Sequence, residues 1–246
     1  MPFLTRWDDD HSRPTVLSAL RDVAVRAILP AIALFALIVG FGFLLKGPLT
    51  SYSTWENGIS TWFQDGRIDT WNAITKFMSM IGNTEYVIAV GVTVCAVIWW
   101  RTKEWWFAVV PMIAISVQAT VFVIATAVVG RERPPVHRLD PTPPTSSYPS
   151  GHVGASTALY LSFALMATRI QNVVVRRVVI VLCILAPLLV TYARLYRGAH
   201  HLSDVAVGLF NGAVCALLAW NYLRRDPNGS SSVSTQRTSE SAQTRA

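Results

Sequence analysis

The sequence predicts an all-α, polytopic membrane bundle of about six transmembrane helices with amphipathic helices on its outer surface, and three observations carry that expectation. Apolar residues make up 52% of the 246 positions and charged residues only 14%, with a mean hydropathy of +0.40. A soluble globular domain carries about 25% charged residues, so this chain is too poor in charge to cover itself for water. The charges are also bunched, leaving uncharged runs that approach the roughly 17–25 residues a helix needs to cross the hydrocarbon core. Tryptophans mark the ends of several runs, as at Trp99-Trp100 and Trp105-Trp106, where amphipathic rings suit the headgroup region.

Met1 to Arg26 is polar, contains Asp8, Asp9 and Asp10, and reads as a cytoplasmic N-terminal segment, 1–26. Ala27 to Leu45 is the first uncharged run; no small-residue cleavage site follows it, which favours a retained anchor over a signal peptide. Next, Trp55, Ile59, Trp62 and Phe63, then Trp71, Ile74, Phe77, Met78 and Ile81, recur at helical spacing among Glu56, Asp65, Arg67 and Asp69. This pattern fits one or two amphipathic helices on the outer surface, or equally a loop packed on the bundle. Further spans are Tyr86 to Trp100, Trp105 to Val129, Val153 to Thr168, Val178 to Ala193 and Val205 to Leu223. Residues 27–223 thus form one membrane-embedded domain. The tail, 224–246, is rich in Ser, Thr, Gln and Gly from Asp226 onward and is expected to be disordered and cytoplasmic. Cys95, Cys183 and Cys215 all lie in apolar segments without a CxxC pairing and read as small apolar fillers.

Six spans place both termini on one side. That side holds 13 of the 21 Lys and Arg residues, against eight on the other, so both ends are expected in the cytoplasm of a plasma-membrane protein. Five of the eight outer basic residues cluster in two short segments, around Arg131 to Arg138 and Arg194 to Arg197. The net charge of +7 and pI of 9.7 raise nucleic acid as a partner, but basic residues beside apolar spans are more simply explained by membrane orientation. No basic run or aromatic-interleaved patch resembles a nucleic-acid surface, so the expected partner is the bilayer.

Three outer segments gather polar residues whose desolvation implies a function. They are Gly130-Arg131-Glu132-Arg133-Pro134, Tyr148-Pro149-Ser150-Gly151-His152, and the stretch from Arg194 to Asp204 that contains Arg197, His200 and His201. Arg133 and Arg194 offer planar forks of donors suited to phosphate oxygens. Ser150 and Gly151 begin a helix, where free amides favour an anion, and Gly151 lets an oxyanion approach closely. His200 and Asp204 are four apart and share a face if the last helix starts early; the carboxylate then fixes the tautomer of His200, leaving its other nitrogen to attack phosphorus. His152 can protonate a departing alkoxide. Taken singly, a membrane-edge histidine is more often a hydrogen-bonded structural residue, and Arg131, Arg138 and Arg197 also fit headgroup contacts. His137 and His201 read as bystanders, and His11 falls on the opposite side.

In combination these segments resemble the signature of the type 2 phosphatidic acid phosphatase superfamily: Lys, six residues, Arg-Pro; Pro-Ser-Gly-His; Ser-Arg, five residues, His, three residues, Asp. The chain matches it at Arg133-Pro134, at Pro149-Ser150-Gly151-His152, and at Arg194, His200 and Asp204, and departs from it at Thr126 (for Lys) and Ala193 (for Ser). The resemblance implies a membrane lipid phosphate phosphatase of the bacterial branch, covering roughly Ala27 to Leu223, with its site on the outer face. It implies attack by His200, orientation by Asp204, and proton transfer by His152. Arg133, Arg194, Ser150 and Gly151 would bind phosphate, and no metal or cofactor is called for; where the chain departs from the pattern at Thr126, Arg131 lies close enough to supply the missing positive charge. Phosphatidic acid, phosphatidylglycerol phosphate and a polyprenyl diphosphate all present the terminal phosphate such a pocket takes. A phosphotransferase using the same site and a catalytically silent lipid-binding protein are the other classes compatible with these residues.

Overall fold

A computed structural model describes residues 13–141 and 145–223, which are helical without strands. The tail expected to be disordered, 224–246, lies outside the described residues, as do the first twelve residues of the N-terminal segment. α1 (Val16–Val23) starts on Thr15, whose side chain accepts from the Ser18 amide, and passes through a π turn (Ala24–Ile28) into α2 (Leu29–Lys46). The result is one helix of 31 residues, Val16–Lys46. It begins earlier than the uncharged run suggests, inside the stretch expected as a cytoplasmic lead-in. Charge does not end it there, because Asp22 and Arg26 pair one turn apart at 3.7 Å.

α3 (Thr50–Asp65) and α4 (Asp69–Met80) settle the open choice in favour of helices. Their orientation is inverted relative to a helix on a soluble core. Trp55, Trp62, Trp71 and Phe77 face outward, whereas Glu56, Ser60, Thr75 and Ser79 are buried against the bundle. An aromatic face turned outward suits a headgroup layer, and a polar face turned inward delivers donors and acceptors to whatever lies beneath.

The remaining helices are α5 (Thr84–Thr102), α6 (Trp105–Ala108) running into α7 (Val110–Val129), α8 (Gly151–Ala167), α9 (Val173–Tyr196) and α10 (Leu202–Asn221). Among the described residues, five helical stretches are long and apolar enough to span a bilayer: Val16–Lys46, Thr84–Thr102, Trp105–Val129, Val173–Tyr196 and Leu202–Asn221. α8, the sixth, has 17 residues, about 26 Å of helix, and most of them are buried against protein. Its buried Ser156, Thr157 and Ser162 each return their hydroxyl proton to a carbonyl of the same helix, so no polar group is stranded. About half of the apolar stretch of α7 and of α10 is buried, against 11% for α5 and 17% for α9. α7, α8 and α10 therefore form the centre, while α5 and α9 present Val97, Val174 and Leu182 outward as a lipid face.

α8 and α10 approach each other most closely. A Cβ on Gly208 would lie 2.8 Å from the Ser150 carbonyl oxygen, and one on Gly212 would lie 2.5 Å from that of Gly154. Gly208 and Gly212, one turn apart, are the small-residue stripe that lets two membrane helices meet at backbone distance. The crossing carries the Ser150 amide to the Asp204 carbonyl, a 3.0 Å hydrogen bond between the starts of the two helices. Two of the three polar segments are thereby joined by the packing itself.

Candidate active site

α7 ends at Val129 because Gly130 takes a left-handed conformation (φ +60) and turns the chain back over the bundle end. Lys46, from the end of α2, donates to the Val129 carbonyl at 2.7 Å and satisfies that helix end. Arg131 then points inward. Its Nη1 donates to Ser203 Oγ and to Asp204 Oδ1, both at 2.6 Å; its Nη2 donates to Ser53 Oγ at 2.9 Å and Glu56 Oε2 at 2.8 Å. Arg131 is expected from sequence to replace a phosphate-binding lysine, yet both its terminal nitrogens are committed to protein acceptors. Thr126, at the position of that lysine, donates to the Tyr148 carbonyl at 3.0 Å.

Glu56 is the residue sequence reasoning passed over. It is fully buried, accepts from the Ser203 amide at 2.5 Å and the Ser203 hydroxyl at 3.0 Å, and pairs with Arg131. A carboxylate from α3 thus caps the first turn of α10 and binds an outer helix to the site. An acidic residue amid a run of aromatics was the available signal, but it reads equally well as a solvated face.

His200 lies in the short link between α9 and α10, almost wholly buried. Its Nδ1 donates to the Ser147 carbonyl at 2.7 Å, which leaves the lone pair on Nε2. The expected partner, Asp204, is 3.9 Å from Nδ1, beyond hydrogen-bond range. Asp204 instead accepts from the backbone amide of His201 at 2.8 Å, from His201 Nδ1 at 3.2 Å and from Arg131. The orienting contact expected of Asp204 is therefore made by a backbone oxygen, and Asp204 serves as the capping carboxylate of α10. His201, read from sequence as a bystander, is the histidine bonded to Asp204; the three-residue spacing of a capping box was its signal. Burial, reinforced by the charges of Arg194 and Arg133 and opposed by that of Asp204, holds the His200 pKa well below the ordinary imidazole value. His200 is thus a neutral base with one free nitrogen.

Arg133 and Arg194 flank this imidazole. Arg133 Nη1 donates to the carbonyl of Ala199, adjacent to His200, at 2.8 Å. Arg194 Nη1 donates to Ser79 Oγ at 3.0 Å and to Asp140 Oδ2 at 3.1 Å. Asp140, also absent from the sequence reading, bridges Arg194 to Arg197, whose guanidinium is spent on Asp140, Asn72 and Thr75. Burial alone would raise the Asp140 pKa, but the hydrogen bond and charge of Arg197, with the charge of Arg194, hold it below the usual carboxylate value. Arg197, which fits a headgroup contact from sequence, is instead an internal tie to α4.

Each polar segment also contributes one buried donor with no protein partner: Arg133 Nε, Ser150 Oγ and Arg194 Nε. Ser150 occupies the N-cap of α8 with extended backbone but makes no side-chain cap bond. The amides of Gly151 and His152 sit in that first turn, where a helix leaves its N–H groups without intrahelical acceptors. Gly151 also has a packing reason, since a Cβ there would lie 2.7 Å from the Phe122 ring. His152 Nε2 is 2.9 Å from Asn83 Oδ1, and the charged groups facing it are Arg194, Asp140 and Arg133. Among the described residues, no three His, Cys, Asp or Glu side chains gather as a metal ion would require. The arrangement can hold a multiply charged oxyanion between two guanidiniums and a helix start, with an unprotonated imidazole beside it.

The fold is that of a polytopic helical membrane protein. The chain belongs to the PAP2 superfamily, whose family model matches residues 105–227. The fold is shared with the transmembrane PAP2-type phosphatidylglycerolphosphate phosphatase from Bacillus subtilis, at a TM-score of 0.70 and 18% identity over 78% of this chain and 94% of that one. It is also similar to Aquifex aeolicus LpxE, at a TM-score of 0.55 and 17% identity over 67% of this chain and 94% of that one. No curated protein matches the sequence.

Proposed function

We propose that this protein is a lipid phosphate phosphatase that works through a phosphohistidine. The observation that supports it best is the trio of buried, unpartnered donors on Arg133, Ser150 and Arg194 around a neutral histidine. Buried polar groups in folded proteins are nearly always paired, so three orphans from three segments argue for an oxyanion as the missing partner. With a phosphate monoester held there, the Nε2 lone pair of His200 forms a bond to phosphorus while the bond to the lipid oxygen breaks. His152 gives that oxygen its proton. Water then forms the new bond to phosphorus, surrenders a proton to His152, and releases His200. Arg133, Arg194, Ser150 Oγ and the first amides of α8 hold the oxygens on which charge accumulates.

An outward-facing site and cytoplasmic termini are supported by the excess of basic residues expected at the opposite bundle end. The substrate class follows from the bilayer setting and from the activity named for the Bacillus subtilis neighbour. The testing experiment measures phosphate release by purified protein, with and without a strong chelator. Substrates are phosphatidic acid, phosphatidylglycerol phosphate and a polyprenyl diphosphate. Chelator-resistant release from at least one of these, abolished by His200→Ala, is expected. A lipid-phosphate product in place of free phosphate would identify a transferase, and no turnover on any would refute the enzyme reading.

A further inference from the structure

Asn83 is the N-cap of α5, with φ −65 and ψ 141, the extended geometry in which an Asn side chain ordinarily accepts from the helix's own first amides. It does not do so; its side chain makes no cap bond. The same residue type in the same role elsewhere in the chain provides an internal control. Asn172 caps α9 and accepts from the amides of Val174 and Val175 at 3.0 and 3.1 Å. The Asn83 oxygen is instead directed to His152 Nε2, 69 residues away, at 2.9 Å. The backbone beside it is placed for that purpose. A Cβ on Gly82 would lie 2.9 Å from the His152 carbonyl oxygen and 2.8 Å from Val190, so only glycine lets this turn press against the start of α8.

We propose that Asn83 is a positioning residue for His152, holding Nε2 so that Nδ1 is the nitrogen that exchanges the proton with the leaving lipid oxygen. This inference rests on the phosphatase reading. An amide oxygen facing Nε2 requires the proton there, and the imidazolium then carries its second proton on Nδ1. In the first step that Nδ1 proton passes to the alkoxide as the phosphorus–oxygen bond breaks. In the second, Nδ1 takes a proton from the attacking water as the bond between phosphorus and His200 breaks. The charged groups that share the environment of His152 are Arg194 from α9, and Asp140 and Arg133 from the connecting loop. A forfeited helix cap, in a chain that uses the same cap normally elsewhere, is the trace of this diversion.

The test separates positioning from mere helix support. Asn83→Ser keeps a good cap residue but is too short to reach His152; Asn83→Asp keeps the contact and adds charge. The readout is kcat/KM, which reports the step that expels the leaving group and not the later attack of water, on an alkyl lipid phosphate, whose leaving group needs a proton, and on an aryl phosphate, whose leaving group does not. Asn83→Ser should lose roughly 10- to 100-fold on the alkyl substrate, part of the ~10²–10⁴ that a general acid supplies, and stay within about threefold on the aryl one. Asn83→Asp should retain alkyl turnover and move the basic limb of its kcat/KM profile to higher pH, because a carboxylate keeps His152 protonated longer. Equal losses on both substrates, or no loss on either, would overturn the inference. Wild-type protein without phosphatase activity would overturn the reading beneath it and the inference with it.

Discussion

The carbonyl oxygen of Ser147 lies 2.7 Å from His200 Nδ1, whereas the carboxylate of Asp204 lies 3.9 Å from the same atom. A backbone oxygen therefore fixes the imidazole tautomer, and Asp204 is free to cap α10 and to neutralise Arg131. The charge of Asp204 still reaches His200 across that gap, but its hydrogen bonds are spent on the helix start that carries the site.

Replacing Asp204 should consequently be felt first in stability. Asp204→Asn leaves Arg131 facing a weakened partner in a buried network, and breaking such a pair costs on the order of 3–5 kcal/mol. Denaturant unfolding in detergent would register the loss, while the folded fraction should still form a phosphoenzyme. Unchanged stability with complete loss of the phosphoenzyme would mean that Asp204 acts directly on His200.

Glu56 and Arg131 should behave as one unit. Glu56→Ala and Arg131→Ala each strip a fully buried ion of its partner, and the double variant should cost less than the two single losses together, by roughly 0.5–3 kcal/mol. Strict additivity in a double-mutant cycle would show that the 2.8 Å contact between α3 and the site contributes nothing.

Arg133 and Arg131 should part company in kinetics. Arg133→Ala should lower kcat by about 10²–10³, the cost of losing one oxyanion donor, with little change in the unfolding midpoint. Arg131→Ala should do the reverse: a lower midpoint, and turnover in the folded fraction within a few-fold of wild type. Steady-state kinetics normalised to folded protein would decide, and a purely kinetic defect in Arg131→Ala would reinstate it as the substitute for the lysine replaced by Thr126.

The pH dependence follows from the direction of the His200 shift. Its pKa is lowered in the folded protein by burial first, and by Arg194 and Arg133 next, so the ring stays neutral as pH falls through 6.5, where an ordinary imidazole becomes charged. The unfolded chain takes up that proton first, so stability should decline below pH 6.5 and continue to do so down to the folded-state pKa. Imidazole carbon NMR in detergent, assigned with His200→Gln, should show no titration of this ring near 6.5. A normal titration there would contradict the neutral nucleophile.

The helices were legible in the sequence because lipid exposure demands long apolar runs, and α5, α9 and α10 fall close to where those runs predict. The start of the first helix was missed because Asp22 and Arg26 look like a boundary until they are seen as a pair one turn apart. Residues meeting across the three motif segments were legible as a group through their ordered spacing, but not their individual contacts. Ser147 contributes a carbonyl, which no side-chain pattern announces. Glu56 and Asp140 find their arginines only once α3 and the loop fold over the bundle end. Polarity on α3 and α4 suggested a wet face, and only packing reveals that this face is buried.

The most direct test of a phosphohistidine at His200 uses purified protein carrying His152→Ala, which should slow the second step, incubated with an aryl phosphate labelled on its phosphoryl group, whose leaving group departs without the proton His152 supplies. Rapid acid-free denaturation should trap label on the protein, stable to alkali and lost in acid, mapping to the peptide that contains His200 and absent when His200→Gln is added. Turnover by wild type without any trapped label, or label that persists in the His200→Gln protein, would contradict it.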